Sequence, residues 1–305
     1  MDKVLVIGSY NEGLWVVGGR LPKPGETVIG DHFDMGPGGK GSNQAIQIAR
    51  LGGDVEFMVK IGKDLFGEEA KRLFEKEGIH TDYLKVDPEV HTGAGLICVD
   101  DDGQNLISVA PGANFRLTPE EIDETPGLFD SCKYLLMVLE IPVSVVYHAT
   151  EKAKEKGVTV VLNPAPAQKL DPKYLAMIDI LTPNETETEV ITGMAVTDVP
   201  SATVAGRRLV DQGIGTALIT MGKAGSVLVT QDQEKHFPAP EVKAVDTTGA
   251  GDAFNGGLVY ALAAGKSLDE AIEFASKVGA YSVLSMGVVP GLATLKNIED
   301  TFGQA

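Results

Sequence analysis

The sequence predicts an α/β fold in which a mostly parallel sheet is covered by helices on both faces. Apolar runs of strand length alternate with segments of helical period along most of the 305 residues. The hydrophobic fraction of 43% and the charged fraction of 23% are ordinary for a globular protein of this length, which can bury a sizeable core. Two polar, glycine-rich stretches interrupt the alternation and predict a small additional β sheet.

The alternation begins at the N-terminus and can be followed element by element. The strand KVLVIGS is followed by the helix SNQAIQIARLGG, the strand DVEFMVKIG and the helix DLFGEEAKRLFEKEG. It resumes with YLLMVLE, PVSVVYHATEKAKEKG, VTVVLNPAP, YLAMIDILTPN, VAGRRLVDQG and TALITMG. This succession of βα units predicts parallel strands joined by right-handed crossovers. After residue 249 the chain is predicted to be helical in GGLVYALAAG, SLDEAIEFASKVGAYSVLSMG and TLKNIEDTFG.

The two interruptions lie at residues 21–36 and 91–109. Both contain short alternating strands with turn signals, and Asp102-Gly103 is a plausible hairpin tip. Polar, glycine-rich strands of this kind fit poorly inside a buried parallel sheet. We therefore predict one domain, residues 1–305, with a small β lid formed by about 11–37 and 91–109.

Composition excludes several classes of function. The net charge of −17 argues against nucleic acid as a partner, because phosphate backbones are bound by clustered Lys and Arg. No run of about 18 apolar residues predicts a membrane span, and MDKVLVIGS lacks the pattern of a signal peptide, which predicts a cytoplasmic protein without a membrane partner. Cys98 and Cys132 lack metal-site spacing and are predicted to be buried thiols. The five histidines form no HxH, HxxxH or HExxH pair and no GxSxG elbow is present, which disfavours zinc and serine hydrolysis.

The segment GPGGKGSNQ, residues 36–44, contains the spacing G-x-G-x-x-G. A dinucleotide fingerprint is disfavoured because the preceding GDHFDM is too polar for a central strand and no acidic residue follows at about 20 positions. A Walker A loop is disfavoured because Gly41 follows Lys40. The remaining interpretations are a glycine loop in which Lys40 and Asn43 bind a polar ligand with hydroxyls, or a turn that simply precedes a helix.

The segment DTTGAGDAF precedes an apolar helix, so the N–H groups of Gly249, Ala250 and Gly251 are predicted to lie at a helix N-terminus. Such groups, together with the helix dipole, form an anion site. Asp252 in the first turn either has a chemical role or only complements the dipole.

TPNETE, residues 182–187, opens another predicted helix. Thr182 and Glu185 are predicted to form its capping box, with Pro183 at the first helical position. This cap does not account for Asn184 and Glu187, which face the same side and are able to hold a hydrated Mg²⁺. The cap alone and the magnesium site are both open at this point.

Taken in order, GGKGSNQA, the LE before a helix, NPAPA, TPNETE and DTTGAGDAFNGG resemble the ribokinase branch of the PfkB carbohydrate kinases across nearly all 305 residues. The resemblance implies an ATP-dependent phosphotransferase with a Rossmann-like three-layer α/β/α sandwich and a β lid that pairs protomers into a homodimer. It also implies that Asp252 is the base that takes the proton from a sugar hydroxyl, while the N–H groups of Gly249, Ala250 and Gly251 stabilise charge on the phosphoryl group.

The same resemblance implies further site residues by their matching positions. Sugar contacts are implied for Asn11, Gly39, Lys40, Asn43, Glu140 and Asp252. Nucleotide contacts are implied for Asn184, Thr220, Gly222, Gly225 and Ser276. Mg²⁺ is implied to bind through water at Asn184 and Glu187. A monovalent cation, K⁺, is implied at Asp246, Thr248, Ser282, Ser285 and Gly287.

The chain departs from the family pattern after its first strand. Ribokinases typically read Asn-x-Asp there, and the aspartate grips two ribose hydroxyls, whereas this chain has Asn11, Glu12 and Gly13. We hypothesise that Gly13 makes room for a different group and that the preferred sugar is not ribose, unless Glu12 or Asn11 shifts to replace the carboxylate. Trp15 nearby either stacks on a sugar ring or serves only packing.

Three alternatives to a kinase for a ribose-like sugar remain open from the sequence. The first is a kinase for a ketohexose, another pentose or a nucleoside on the same scaffold. The second is a noncatalytic sugar- or nucleotide-binding regulator, and the third is a dinucleotide oxidoreductase.

Overall fold

The structure, a computed structural model, describes residues 1–303, and the last two residues of the predicted domain lie outside this range. Its strands, in chain order, are β1 (Lys3–Gly8), β2 (Asn11–Val17), β3 (His32–Gly38), β4 (Val55–Gly62), β5 (Lys85–Asp87), β6 (Gly93–Val99), β7 (Asn105–Ala110), β8 (Cys132–Val138), β9 (Thr159–Asn163), β10 (Ile180–Leu181), β11 (Thr216–Thr220), β12 (Ser226–Thr230) and β13 (Glu234–Phe237).

The helices alternate with these strands as the sequence predicts. They are α1 (Lys40–Arg50), α2 (Leu65–Lys76), α3 (Pro119–Asp123), α4 (Val143–Glu155), α5 (Pro172–Leu175), α6 (Glu185–Thr192), α7 (Val199–Asp211), α8 (Ala250–Ala263), α9 (Leu268–Ser282), α10 (Val288–Gly291) and α11 (Leu295–Phe302). No helix within residues 1–303 is long and apolar enough to cross a membrane.

The large sheet has the strand order β13-β12-β11-β10-β9-β8-β1-β4-β5. All strand pairs from β5 to β11 are parallel, and only β12 and β13 at one edge are antiparallel. The predicted mostly parallel sheet is therefore confirmed. The antiparallel edge was not predicted. The turns that lead into β12 and β13 are too short for a βα crossover, so these strands pair antiparallel.

Strand β1 shows why the fold has three layers. Val4 and Val6 point into one hydrophobic core, whereas Leu5 and Ile7 point into the other, and all four side chains are fully buried. The first core also contains buried residues of α1, α2, α8, α9 and α11, and the second contains those of α3, α4 and α7. A near-continuous apolar strand is the expected signature of a sheet covered on both faces.

A second sheet, here called the small sheet, has the order β3-β2-β6-β7. Its central pair, β2 and β6, is parallel and its outer pairs are antiparallel. A small additional sheet is therefore present, but the first interruption, 21–36, contributes only β3, and β2 lies before it. The predicted hairpin tip is also present, since the chain turns between β6 and β7 with Gly103 at φ +77°.

Gly39 links the small sheet to the core. β3 ends at Gly38 and α1 begins at Lys40, so this residue alone lies between them. Its φ is +91°, and a Cβ there would lie 2.8 Å from the backbone N of Asn11. Only glycine meets both requirements, the left-handed backbone and the close approach of β2.

Candidate active site

The candidate site lies at the carboxyl edge of the large sheet, where parallel α/β sheets commonly bind ligands. Residues from the ends of β1, β8, β9 and β10 meet there with the N-termini of α1 and α8. The sequence-predicted residues on these and the neighbouring elements are described in turn.

Glu140, just after β8, joins the small sheet to the core. Its Oε2 accepts hydrogen bonds from the hydroxyl of Ser9, from the backbone N of Lys40 at 2.9 Å and from Nδ2 of Asn11 at 3.3 Å. Asn11 is fixed further, since its Oδ1 accepts from Asn114 at 2.9 Å. Three of the predicted sugar-binding residues, Asn11, Lys40 and Glu140, are therefore in direct contact.

Asp252 lies in the first turn of α8 and is 5% exposed. Its Oδ2 accepts from Nδ2 of Asn43 at 2.8 Å and its Oδ1 from Nε2 of Gln44 at 3.1 Å. Both oxygens are thus oriented by α1, and each keeps a lone pair for a proton. This arrangement suits a carboxylate that acts as a general base.

Lys40 supplies positive charge among these carboxylates. The negative charge of Asp252 raises the pKa of the Lys40 ammonium; burial opposes this effect, and Glu140 and Glu187 reinforce it. The lysine therefore stays charged at neutral pH and offsets the repulsion between an anionic ligand and a protein of net charge −17.

The N-terminus of α8 has the properties predicted for an anion site. Gly249 caps the helix at φ +79°, and a Cβ there would lie 2.4 Å from Cγ1 of Val288. The N–H of Ala250 donates to the carbonyl of Thr247 at 3.3 Å. Within residues 1–303 the N–H groups of Gly249 and Gly251 have no acceptor, so these two are the available donors.

The TPNETE helix begins two residues later than predicted. The N-cap of α6 is Asn184, whose Oδ1 accepts from the backbone N of Glu187 at 2.8 Å, while Oε2 of Glu187 accepts from the backbone N of Asn184 at 2.9 Å. The predicted capping box of Thr182 and Glu185 is wrong, because the Thr182 hydroxyl donates instead to Oδ1 of Asn255. Asn184 and Glu187 are therefore themselves the capping box of α6.

Glu187 is also the most buried carboxylate of this turn, and burial raises the pKa of its side chain. Its Oε1 accepts from Nδ2 of Asn184 at 3.0 Å. Each oxygen therefore has one protein donor and one remaining lone pair, which fits a hydrated ion contacted through water better than a direct ligand cage. No cluster of three or more His, Cys, Asp or Glu side chains suited to a metal occurs within residues 1–303.

The turn after β11 lies beside α6. The backbone N of Thr220 donates to the carbonyl of Pro183 at 2.9 Å, and Asn184 and Thr220 form a parallel bridge. Gly225 closes this turn at φ +91°, where a Cβ would lie 2.0 Å from the carbonyl of Phe237. The hydroxyl of Ser276 donates to its own helix, so no hydrogen bond brings it to this turn.

The loop before α8 packs against the segment after α9. Oδ1 of Asp246 accepts from the backbone N of Thr248 at 2.9 Å and Oδ2 from that of Gly287 at 3.0 Å. Burial raises the pKa of Asp246, but these hydrogen bonds outweigh it and leave the pKa below its usual value. Ser282 and Ser285 lie on the same segment, on either side of Val283, whose carbonyl accepts from the backbone N of Asp246 at 3.3 Å.

Glu12 does not take the place of the missing aspartate. It is 4% exposed, and the hydroxyl of Tyr10 donates to its Oε2 at 2.5 Å. As the neighbour of Asn11 in a strand it points to the opposite face of the small sheet. Burial raises the pKa of this carboxyl, and the nearby charge of Glu69 raises it further.

Comparison with known proteins decides what kind of site this is. Residues 1–295 match the family model described as pfkB family carbohydrate kinase. The chain belongs to this family. Among curated relatives, a ribokinase of Haemophilus influenzae is 42% identical over 295 residues, 96% of each chain, and a deoxyribokinase of Salmonella typhi is 38% identical over 298 residues, 97% of each. The solved ribokinase of Arabidopsis thaliana complexed with ribose and ATP superposes with a TM-score of 0.91 at 31% identity, covering 98% of each chain.

Membership in the pfkB family decides between the alternatives of different class. The chain is an ATP-dependent sugar kinase, a phosphotransferase with an alcohol group as acceptor, and the ribokinase fold is confirmed. A dinucleotide oxidoreductase and a noncatalytic regulator are both set aside by this assignment. The identity of the sugar is not decided by it.

Gln44 of this pfkB kinase is a functional residue that the sequence reasoning missed. Besides Asp252 its Nε2 donates to Oδ1 of Asn163 at 3.0 Å, so it ties the candidate base to the end of β9. The chain of hydrogen bonds continues through Thr182 and Asn255 to the carbonyl of Gly251. The structure reveals this role because Gln44 is fully buried, and a buried amide needs hydrogen-bond partners.

Replacing Gln44 with methionine, which keeps length but removes the donor, should lower kcat about 10–100-fold. The expected size follows from the loss of a hydrogen bond to a charged group. The KM for sugar should change little, because Gln44 lies behind the carboxylate. Steady-state kinetics with the exposed Gln231→Met variant as control will measure this, and an unchanged kcat would show that Asn43 alone positions Asp252.

Proposed function

We propose that this kinase transfers the γ-phosphoryl group of ATP to a primary hydroxyl of a ribose-like sugar, with Asp252 as general base. The observation that carries the proposal is the position of this carboxylate. It is oriented by Asn43 and Gln44 and lies one residue from the free N–H of Gly251 at the N-terminus of α8. A base for the hydroxyl and donors for phosphoryl charge thus occur in the same turn.

In the proposed reaction the sugar hydroxyl gives its proton to Asp252 as its oxygen bonds to the γ-phosphorus. The bond between the γ-phosphorus and the β–γ bridging oxygen breaks, and ADP leaves with that electron pair. The N–H groups of Gly249 and Gly251 donate to the phosphoryl oxygens while their charge rises. Lys40 adds a positive charge near the same carboxylate.

The sugar is proposed to bind between the small sheet and the core, at Asn11, Gly39, Lys40, Asn43 and Glu140. Two observations support this. Glu140 receives donors from both β2 and the start of α1, so a ligand there touches both parts of the molecule. Oδ1 of Asn43 is buried and accepts no hydrogen bond within residues 1–303, which suits a ligand hydroxyl.

The nucleotide is proposed to bind along the turns that carry Asn184, Thr220, Gly222 and Gly225, with Ser276 on the adenine side. Two observations support this nucleotide site: Asn184 and Thr220 form a β bridge, and the backbone turns tightly at Gly225. Asn184 and Glu187 would hold Mg²⁺ through water, as the single free lone pairs of Glu187 allow. When bound, this ion neutralises charge on the β- and γ-phosphates.

A monovalent cation is proposed beside the anion site, at Asp246, Thr248, Ser282, Ser285 and Gly287. The ionised carboxylate of Asp246 and the packing of its loop against residues 283–287 support this site. K⁺ there would stabilise the loop that leads into Gly249, so it is proposed as an activator.

The proposed function is tested by ADP release with a panel of pentoses, ketohexoses and nucleosides, with and without K⁺. A pentose is expected to give the highest kcat/KM, and replacing K⁺ by tetramethylammonium is expected to lower it. A ketohexose or nucleoside as best substrate would contradict the acceptor proposed here. Equal rates in both salts would contradict the K⁺ site.

The outer face of the small sheet, opposite Gly13, supports a homodimer. Strand register places the exposed Val16, Phe33, Met35, Leu96 and Leu106 on this one face. Phe33 and Leu96 are both 58% exposed. Contiguous exposed apolar residues on a sheet mark an interaction surface, and we propose that a second copy of the chain covers it.

The double variant Phe33→Glu/Leu96→Glu is expected to be monomeric, because it places two buried like charges in each half of a two-fold interface. Sedimentation velocity measures the change. Val204, 56% exposed on α7, offers a matched control as Val204→Glu. A monomeric parent protein, or a double variant that remains dimeric, would contradict the interface.

A further inference from the structure

Three glycines lie side by side on the inner face of the small sheet. Gly13 of β2 pairs with Gly36 of β3 on one side and with Gly95 of β6 on the other. Paired residues of neighbouring strands share a face, so the row forms a shallow trough without side chains. Asn11, two residues before Gly13 on the same face, contacts Glu140, so the trough adjoins the proposed sugar site.

The indole of Trp15 lies in this trough. A Cβ on Gly13 would be 2.4 Å from Cη2, 2.8 Å from Cζ2 and 2.9 Å from Cζ3 of the ring. A Cβ on Gly36 would be 3.7 Å from Cζ3. In this structure the tryptophan fills the space that Gly13 leaves.

The indole also replaces a polar surface with an apolar one. An aspartate at position 13 and this ring orientation exclude each other, and the rest of the inner face in register is mostly apolar: Ile97, Ile107 and Val109. The nearest carboxylate in register is that of Asp34, which lies opposite Trp15. Trp15 is two residues, about 7 Å, further along β2 from Asn11 than Gly13 is. Oδ1 of Asp34 accepts a hydrogen bond from the backbone N of Met35. A sugar hydroxyl that faces Gly13 thus meets aromatic carbon, and in the described part of the chain the residues paired with Gly13 carry no carboxylate.

We propose that Trp15 makes this kinase selective for a deoxypentose, a sugar that presents CH₂ where ribose presents a hydroxyl toward Gly13. This inference rests on the proposed function and names its substrate class. The ring edge of Trp15 packs on the CH₂ group, whereas a hydroxyl at that position loses its water and gains no acceptor. Trp15 is a specificity-determining residue in this role, and Asn11 and Glu140 retain the remaining hydroxyls.

Kinetics with 2-deoxyribose and ribose test the proposal. The parent enzyme should favour 2-deoxyribose in kcat/KM by roughly tenfold or more, the scale of one unpaired buried hydroxyl. Trp15→Ala should remove most of this preference, and Gly13→Asp/Trp15→Ala, which restores a carboxylate, should reverse it. Val17→Ala, on the same face but one step further from Asn11, is the matched control and should keep the preference.

A second measurement needs neither turnover nor a variant. Trp15 is the sole tryptophan of the chain, so intrinsic fluorescence reports on its surroundings alone. Titration of the parent protein without ATP should change the emission at lower concentrations of 2-deoxyribose than of ribose. Thermal melting of each variant verifies that it folds.

The outcomes separate this inference from the proposed function. If ribose is used as well as 2-deoxyribose, or if Trp15→Ala keeps the preference, the assignment to Trp15 is overturned while the sugar kinase stands. If no pentose is phosphorylated, the proposed function fails, and the fluorescence titration still decides which sugar binds beside Trp15. Equal affinities in that titration would also overturn the inference.

Discussion

Replacing Asp252 with asparagine is expected to lower kcat by roughly 10²–10⁴, the range for removal of a general base. The amide keeps the size of the carboxylate and its place in α8, but it cannot take a proton from the sugar. Sugar affinity should persist, because Asn11, Lys40 and Glu140 are untouched. Single-turnover measurements of ADP formation, with tryptophan fluorescence to follow sugar binding, separate the two effects.

The control for this variant is Asp232→Asn, which removes an equal charge from an exposed turn. It should leave kcat unchanged. Turnover in Asp252→Asn close to that of the parent enzyme would remove the base assignment, and the carboxylate would then serve only the helix dipole and the hydrogen bonds of α1.

Replacing Gly249 with alanine is expected to lower kcat roughly 10²–10³-fold, as for loss of one oxyanion donor. It should also cost about 1–3 kcal/mol in the free energy of unfolding. The backbone at φ +79° disfavours any Cβ, and this Cβ would lie 2.4 Å from Val288. The helix start must move to relieve the clash, and its N–H groups move with it. Steady-state kinetics and chemical denaturation measure the two losses.

Gly265 offers the matched control, since it follows the same helix at φ +85° and a Cβ there meets no atom within 4 Å. Gly265→Ala should lower the free energy of unfolding through the same unfavourable positive φ, while kcat stays the same. If Gly249→Ala loses stability but not kcat, the N–H groups of this turn do not stabilise the transferred group.

The sequence was sufficient to predict the architecture because the pattern of each element was strong. Strand β1 reads as a continuous apolar run, and the buried side chains on both of its faces confirm the interpretation. The small sheet was predictable for the opposite reason, since its glycine-rich strands do not suit a core. Residues of GGKGSNQ and DTTGAGDAF meet because α1 and α8 both begin at the carboxyl edge of the large sheet.

The start of α6 was not predictable in the same way. Thr182 and Asn184 are both good N-cap residues at suitable distances from an acidic residue. The choice depends on the sheet: the backbone N of Thr182 donates to the carbonyl of Leu162, which extends the strand-like pairing by one residue. A long-range contact therefore decided a local boundary.

The orientation of Trp15 was also beyond the sequence. Alternation along β2 places Trp15 and Gly13 on one face, so their proximity was predictable. The indole lies over Gly13 and close to Gly36 of the neighbouring strand β3, and no local sequence pattern reveals that register. Gln44 was missed for a similar reason, because its partners Asp252 and Asn163 are far away in the chain.

The single-residue link at Gly39 gives the molecule a mechanical property. β3 of the small sheet ends one residue before α1, and Asn43 and Gln44 in the first turns of α1 hold Asp252. A displacement of the small sheet would therefore also displace the start of α1, and with it the residues that hold Asp252. We expect ATP hydrolysis with water as the only acceptor to be slower than phosphoryl transfer to sugar, because only a bound sugar contacts both the small sheet and the start of α1.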